Sequence, residues 1–177
     1  MKKLFYLLFV AVLAVSCSNN ENEVFTPIDI PEADLVGTWD VTAFNSDGEI
    51  AGSAAGQTIA GSYNSYGKNF DFKYVFTDSP KKVTASGSFT TVATVKVNGQ
   101  SQTTEQPTSL VEGLGNGDWK EDNGVITITS NGVSDKAYVK SYENGVLVLK
   151  IDLNQSVDQQ GVDFKIKGDL FITLKKK

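Results

Sequence analysis

The feature that most constrains this 177-residue chain is an alternation of period two running from Leu35 to Leu174. It is clearest near the end. Val162, Phe164, Ile166, Gly168, Leu170, Ile172 and Leu174 share one side of an extended chain. Asp163, Lys165, Lys167, Asp169, Thr173 and Lys175 share the other. Successive side chains of a strand point to opposite faces, so this pattern fits a strand with one dry and one wet face. The same rhythm recurs at Phe70, Phe72, Tyr74 and Phe76, along Phe89 to Val97, and along Leu147 to Leu153. No long stretch offers the three-and-four spacing of a helix. One-sided burial marks antiparallel sheets, because parallel sheets are covered on both faces.

The turn residues agree. Asp47-Gly48, Asn98-Gly99, Asn123-Gly124, Asn131-Gly132 and Asn144-Gly145 punctuate the apolar runs. Such pairs accept the positive φ that tight hairpins require. Strands are expected near 35–44, 69–77, 81–97, 100–106, 117–121, 124–130, 134–142, 146–154 and 162–174. That is an all-β meander of roughly eight to ten strands, which hides its edges best by closing into an antiparallel up-and-down β-barrel. A two-sheet β-sandwich is the alternative.

Composition removes much chemistry. His and Arg are absent and there is one Cys. The chain therefore has no imidazole base or zinc ligand and no intrachain disulfide. A formal net charge of −5 argues against nucleic acid, which needs a basic footprint. Asp118, Glu121 and Asp122 form the densest acidic group, but they lack the ligand spacing of a calcium loop and read as a solvated hairpin. No pair of carboxylates is spaced for catalysis. The expectation is a protein without enzymatic activity, cofactor or metal. Lys175 to Lys177 read as a solvated tail.

Lys2 and Lys3 precede an unbroken apolar run from Leu4 to Val15. This is shorter than the roughly 20 residues of a membrane-spanning helix and fits the core of a signal peptide. Leu13-Ala14-Val15-Ser16-Cys17 resembles a bacterial lipobox. That resemblance implies cleavage before Cys17 and acylation of its sulfur and new amino group. Ala14 stands where Leu is common, and Ala14-Val15-Ser16 also fits an ordinary cleavage site, so plain secretion with a free Cys17 is the alternative. The expected organisation is a signal peptide over 1–16, a lipidated Cys and flexible linker over 17–34, and a barrel domain over 35–177. Ser18 to Glu23 is a polar tether, and Pro27 and Pro31 keep the following segment extended. The acidic residues after Cys17 are similar to surface-export signals of Bacteroidetes lipoproteins; a generic spacer is the other reading.

Gly37-Thr38-Trp39 opens the first strand. After it come Asn69 to Thr77, Ala85 to Phe89, Val97 to Gln100, a second Gly-x-Trp at Gly117-Asp118-Trp119, and Val125 to Ile128. In this order the chain resembles the lipocalin-like lipoproteins of Bacteroidetes envelopes over about 35–174. The resemblance implies that Trp39 plugs the closed end of an eight-stranded barrel and that Gly37 lets the backbone pack tightly. It implies a place in the cell envelope, lipid-anchored at the outer membrane and facing the periplasm or the cell surface. It also implies non-covalent binding of a small apolar or amphipathic ligand. The Arg that closes such barrels from the last strand has no counterpart, and Lys165 or Lys167 are its candidate substitutes. The paired Gly-x-Trp also admits an internal repeat.

Residues 46–68 are rich in Gly, Ala, Ser and Tyr. They are expected as a long loop over the barrel mouth, with Tyr63 and Tyr66 stacking on a ligand or a sugar ring. A plain connector, or a short strand near Gln57–Ser62, is the alternative. Phe70, Phe72, Tyr74 and Phe76 point inward with Trp39, either lining an apolar pocket or filling a core. Two functions remain open on the residues: a carrier with a hollow barrel, or a filled adhesive or scaffold module whose surface binds a glycan or an envelope protein.

Overall fold

The computed structural model describes residues 25–54, 57–109, 111, 114–159 and 162–177. They form a one-turn helix, α1 (Glu32–Leu35), and the strands β1 (Gly37–Ala54), β2 (Gln57–Asp78), β3 (Lys81–Val97), β4 (Gln100–Thr108), β5 (Gly117–Asp122), β6 (Val125–Ser130), β7 (Val133–Glu143), β8 (Val146–Gln159) and β9 (Val162–Lys176). All pairings between these strands are antiparallel. The strand order is β2-β1-β9-β8-β7-β6-β5-β3-β4, and an added β2–β3 pairing closes the ring. The fold is thus an all-β antiparallel barrel in which β4 lies outside the closed circuit.

Four of the turns follow the sequence reading. Asn98, Asn123, Asn131 and Asn144 have positive φ, and each is followed by a glycine that does too. Asp47-Gly48 does not make a turn. Gly48 lies inside β1, opposite Gly168 and Tyr63. A Cβ on Gly48 would sit 2.1 Å from the Lys167 carbonyl oxygen, so this glycine serves a close approach of β1 to β9.

The expected loop over 46–68 is also overturned. β1 and β2 run on as an unbroken ladder from Asn45↔Tyr66 to Ala54↔Gln57. Gly, Ala and Ser carry too little hydrophobic contrast to reveal a strand, yet their main-chain groups pair as well as any others.

One strand position of the barrel is shared. β4 pairs with β3 along Phe89–Val97, and β5 pairs with the same edge at Lys82 and Val83. Between them the chain dips inward and buries Val111 and Leu114. The molecule therefore has two storeys. At the base, eight strands close around a core. Above it, β4-β3-β2-β1-β9-β8 continue upward, while β5, β6 and β7 stop short.

The N-terminal segment belongs to the folded domain. Phe25 packs edge-on against Tyr138, with ring centroids 6.2 Å apart. The Ile28 N–H donates to the Val139 carbonyl at 2.9 Å, and Ile30 and Leu35 are buried beneath the barrel. The part of the expected linker from Phe25 to Asp34 is therefore held against the barrel by apolar contact and main-chain hydrogen bonds. Cys17 and residues 18–24 lie outside the described residues.

Candidate functional site

The base is sealed by two tryptophans, each introduced by a Gly-x-Trp. Gly37 adopts φ +136°, a conformation that L side chains resist. Trp39 is fully buried and donates its Nε1–H to the Leu35 carbonyl at 2.7 Å. Lys176 lies over its ring, 5.5 Å from the centroid, and donates Nζ–H to the Asp34 carbonyl at 2.6 Å. Trp119 donates to the Thr77 carbonyl at 2.9 Å and meets Phe76 edge-on. Lys81 lies over Trp119 and pairs with Glu32 at 2.5 Å. Two Trp–Lys pairs thus pin α1 across the barrel floor.

Lys176 is therefore the last-strand cation at Trp39. Lys165 and Lys167 lie far up β9, opposite Ala51 and Glu49. Nor do the final lysines form a solvated tail. Lys175 and Lys176 are in the β9 ladder, while Lys177 donates its N–H to Thr38 and pairs with Asp40. No residue pattern announced Lys176, because its place depends on the register of β9 against β1.

Above the floor, Phe72, Tyr74 and Phe76 are buried and point inward, as the alternation predicted. The Phe89 ring stacks on Phe70 with centroids 5.3 Å apart and packs against Phe44 and Phe72 at centroid separations of 5.1 and 5.7 Å. These rings close the top of the core with one another. Among the described residues, the Tyr74 hydroxyl is the one buried side-chain polar atom without a hydrogen-bond partner. Burial pushes this phenol far above its ordinary range.

The two tyrosines expected to act together are separated. Three positions apart on β2, they lie on opposite faces. Tyr63 is on the inner face, where its hydroxyl accepts a hydrogen bond from Ser46 at 3.3 Å. Tyr66 is on the outer face and half exposed. The inner face of the upper wall continues the apolar lining of the core through half-buried Ile50, Leu153, Phe164 and Ile166.

Open clefts lie along the strands among the described residues. One of about 770 Å³ crosses the outer wall at the Gly48–Gly168 contact, beside Asp47, Glu49, Asn64, Asp152, Lys167 and Asp169. Lys150 bridges Asp152 and Asp169 there. Burial pulls the Lys150 pKa down, but the two carboxylates outweigh it and the net shift is upward. A second cleft, of about 470 Å³, lies where the β1–β2 ladder parts between Asp40 and Asn45. It reaches Phe70 and Phe72 from the side, between Asp40, Asp71, Lys73 and Lys177. A third, of about 400 Å³, flanks the Asn98-Gly99 turn.

The acidic group is a hairpin feature. Asp118 pairs with Lys82 at 2.5 Å, and Glu121 accepts the Gly124 N–H at 2.7 Å. Burial raises the Glu121 pKa, with Asp29 and Asp122 adding to the rise against the Gly124 bond. No three candidate ligands cluster around a possible metal position among the described residues. No helix among them is long and apolar enough to cross a membrane. The outer side of the ring bears Asp71, Lys73, Lys120, Lys136 and Lys140, all exposed, whereas a membrane-spanning barrel turns apolar residues outward.

No protein-family model matches the chain, and no curated protein shows significant similarity to it.

Proposed function

We propose that this protein is a lipid-anchored, lipocalin-like module of the cell envelope whose upper wall, rather than its barrel interior, is the binding surface. Its partner is a glycan or another envelope protein, held without covalent chemistry. The observation that carries this reading is the filled core. Trp39, Tyr74, Phe76, Trp119 and the Phe44–Phe70–Phe72–Phe89 stack occupy the interior that a carrier would leave open. Lys176 over Trp39 supports the lipocalin-like part of the reading, because it supplies from the last strand the cation that the absent Arg would provide. The lipobox supports the anchor: several acyl chains, each methylene contributing roughly 0.8 kcal/mol, hold where one would not.

A second reading, a carrier of one amphipathic molecule, is favoured by two observations: the half-buried apolar inner wall and the orphan Tyr74 hydroxyl. The test uses cells expressing the full chain. A photo-crosslinker at Tyr66 should capture an envelope glycan or protein, and the same group at Val133, on the far hairpin, should not. Equal capture from both positions would overturn the wall as the binding surface. Saturable one-to-one binding of a fatty acid or sterol, with no capture from Tyr66, would replace it with the carrier. Cys17→Ser should release the protein from membranes; continued membrane association would remove the lipid anchor from the proposal.

A further inference from the structure

Two strand edges of the upper wall lack a ladder partner among the described residues: β4 along Gln100–Thr108, and β8 above Lys150. Their chemistry differs. The β8 edge begins with the Lys150–Asp152 ion pair, and charges on an edge strand discourage pairing with another strand. β4 reads Gln-Ser-Gln-Thr-Thr-Glu-Gln-Pro-Thr and is exposed from Gln100 to Pro107. Its one charge, Glu105, is already held by Lys68 at 2.7 Å.

The turn before β4 determines which main-chain groups are free. Asn98 and Gly99 both have positive φ, and such a two-residue turn closes on a hydrogen-bonded Val97–Gln100 pair. By alternation, Gln102, Thr104 and Gln106 direct their main-chain groups to β3. Ser101, Thr103, Glu105 and Pro107 direct theirs outward. Pro107, which has no N–H, therefore sits where the β3–β4 ladder needs none.

We infer that β4 is the edge through which two copies of this chain pair, antiparallel, about a two-fold axis at Thr103. In this register Thr103 faces Thr103 of the second copy, and Ser101 faces Glu105 of the second copy in both directions. Each outward N–H from Ser101 to Glu105 meets a carbonyl, and Pro107 is not called upon to donate. The intervening pairs set Gln100 against Gln106 and Gln102 against Thr104, so amides and hydroxyls meet and no like charges are opposed. A two-fold contact of this kind closes on itself, whereas β4 against β8 of another copy would propagate into an open chain. The inference does not depend on what the wall binds.

The test uses the full-length chain in detergent. A hydrogen-bonded antiparallel pair holds its Cα atoms about 5.5 Å apart, within reach of a disulfide. Under mild oxidation T103C should run as a covalent dimer, while V133C and the unsubstituted chain, which retains Cys17, should not. The unsubstituted chain should sediment as a concentration-dependent dimer. Thr103→Lys places two ammonium groups at the axis and should give a monomer that still unfolds cooperatively, with a melting temperature that no longer depends on concentration. The inference fails if T103C dimerises no more than V133C, or if Thr103→Lys sediments like the unsubstituted chain. Open-ended polymers in sedimentation would also overturn it, in favour of β4 against β8.

Discussion

The barrel base and the wall above it are made from the same strands, yet they pack by different rules. β1 places Trp39 and Val41 in the sealed core, then runs on through Gly48, Ile50 and Gly52, none of them fully buried. β9 makes the same passage in reverse, from half-buried Phe164 and Ile166 down to Leu170, Ile172 and Leu174, all buried. What changes is the opposite side. In the base each inward side chain meets others from across the ring. In the wall the short β5, β6 and β7 no longer stand opposite. Residue choice follows: aromatic rings fill the base, while glycines in the wall let β1 and β9 approach until a Cβ would touch the neighbouring carbonyl. One-sided alternation therefore marks a strand, but not whether its dry face is covered.

Substitutions can break or sharpen this contrast. The largest effect is expected at the floor, where Trp39→Ala should cost about 3–5 kcal/mol in denaturant unfolding. A loss below about 1 kcal/mol would mean that Trp39 seals nothing. On β9, Ile172→Ala should cost about 2–5 kcal/mol and Ile166→Ala about 1 kcal/mol or less. Equal losses would show that the inner wall is covered in solution. Gly168→Ala puts a Cβ about 2.1 Å from the Asp47 carbonyl oxygen. It should destabilise by about 1–3 kcal/mol, as overpacking does; a neutral result would mean that β1 and β9 separate easily.

Smaller effects follow. Tyr74→Phe removes a buried hydroxyl without a partner and should stabilise the fold by about 1 kcal/mol. Destabilisation instead would point to a hydrogen-bonding group held inside the barrel. The smallest effect concerns Glu121. Burial, with Asp29 beside it, raises its pKa in the folded state. The folded chain thus holds this proton more tightly than the unfolded chain. That contribution is complete below the ordinary carboxylate pKa and is lost as pH rises through the folded value. Glu121→Gln should therefore raise the melting temperature at neutral pH, and the gain should vanish by about pH 3.5. A gain independent of pH would contradict the shift.

Much of the fold is legible in the sequence. The nine expected strands all occur, because their alternation and their Asn-Gly turns are strong local signals. The upper wall was not legible. In 46–68 the alternating residues are mostly Gly, Ala and Ser, so hydrophobic contrast falls while hydrogen bonding persists. Reading that stretch as strand would at once have separated Tyr63 from Tyr66, since residues three apart on a strand face opposite ways. Alternation alone turns the aromatic residues at 70, 72, 74 and 76 inward, where they join or flank the core, but it does not decide between a lined pocket and a filled core.

Side-chain alternation and left-handed Asn-Gly turns depend only on neighbours in the chain, so the primary structure was enough to settle the strands and their dry faces. Register between distant strands has no such local signature. Only the folded molecule decided that Lys176 covers Trp39, that β3 divides its edge between β4 and β5, and that the phenylalanines meet one another. Each of these outcomes is a balance of contacts between segments far apart in sequence, and that balance exists only once the ring has closed.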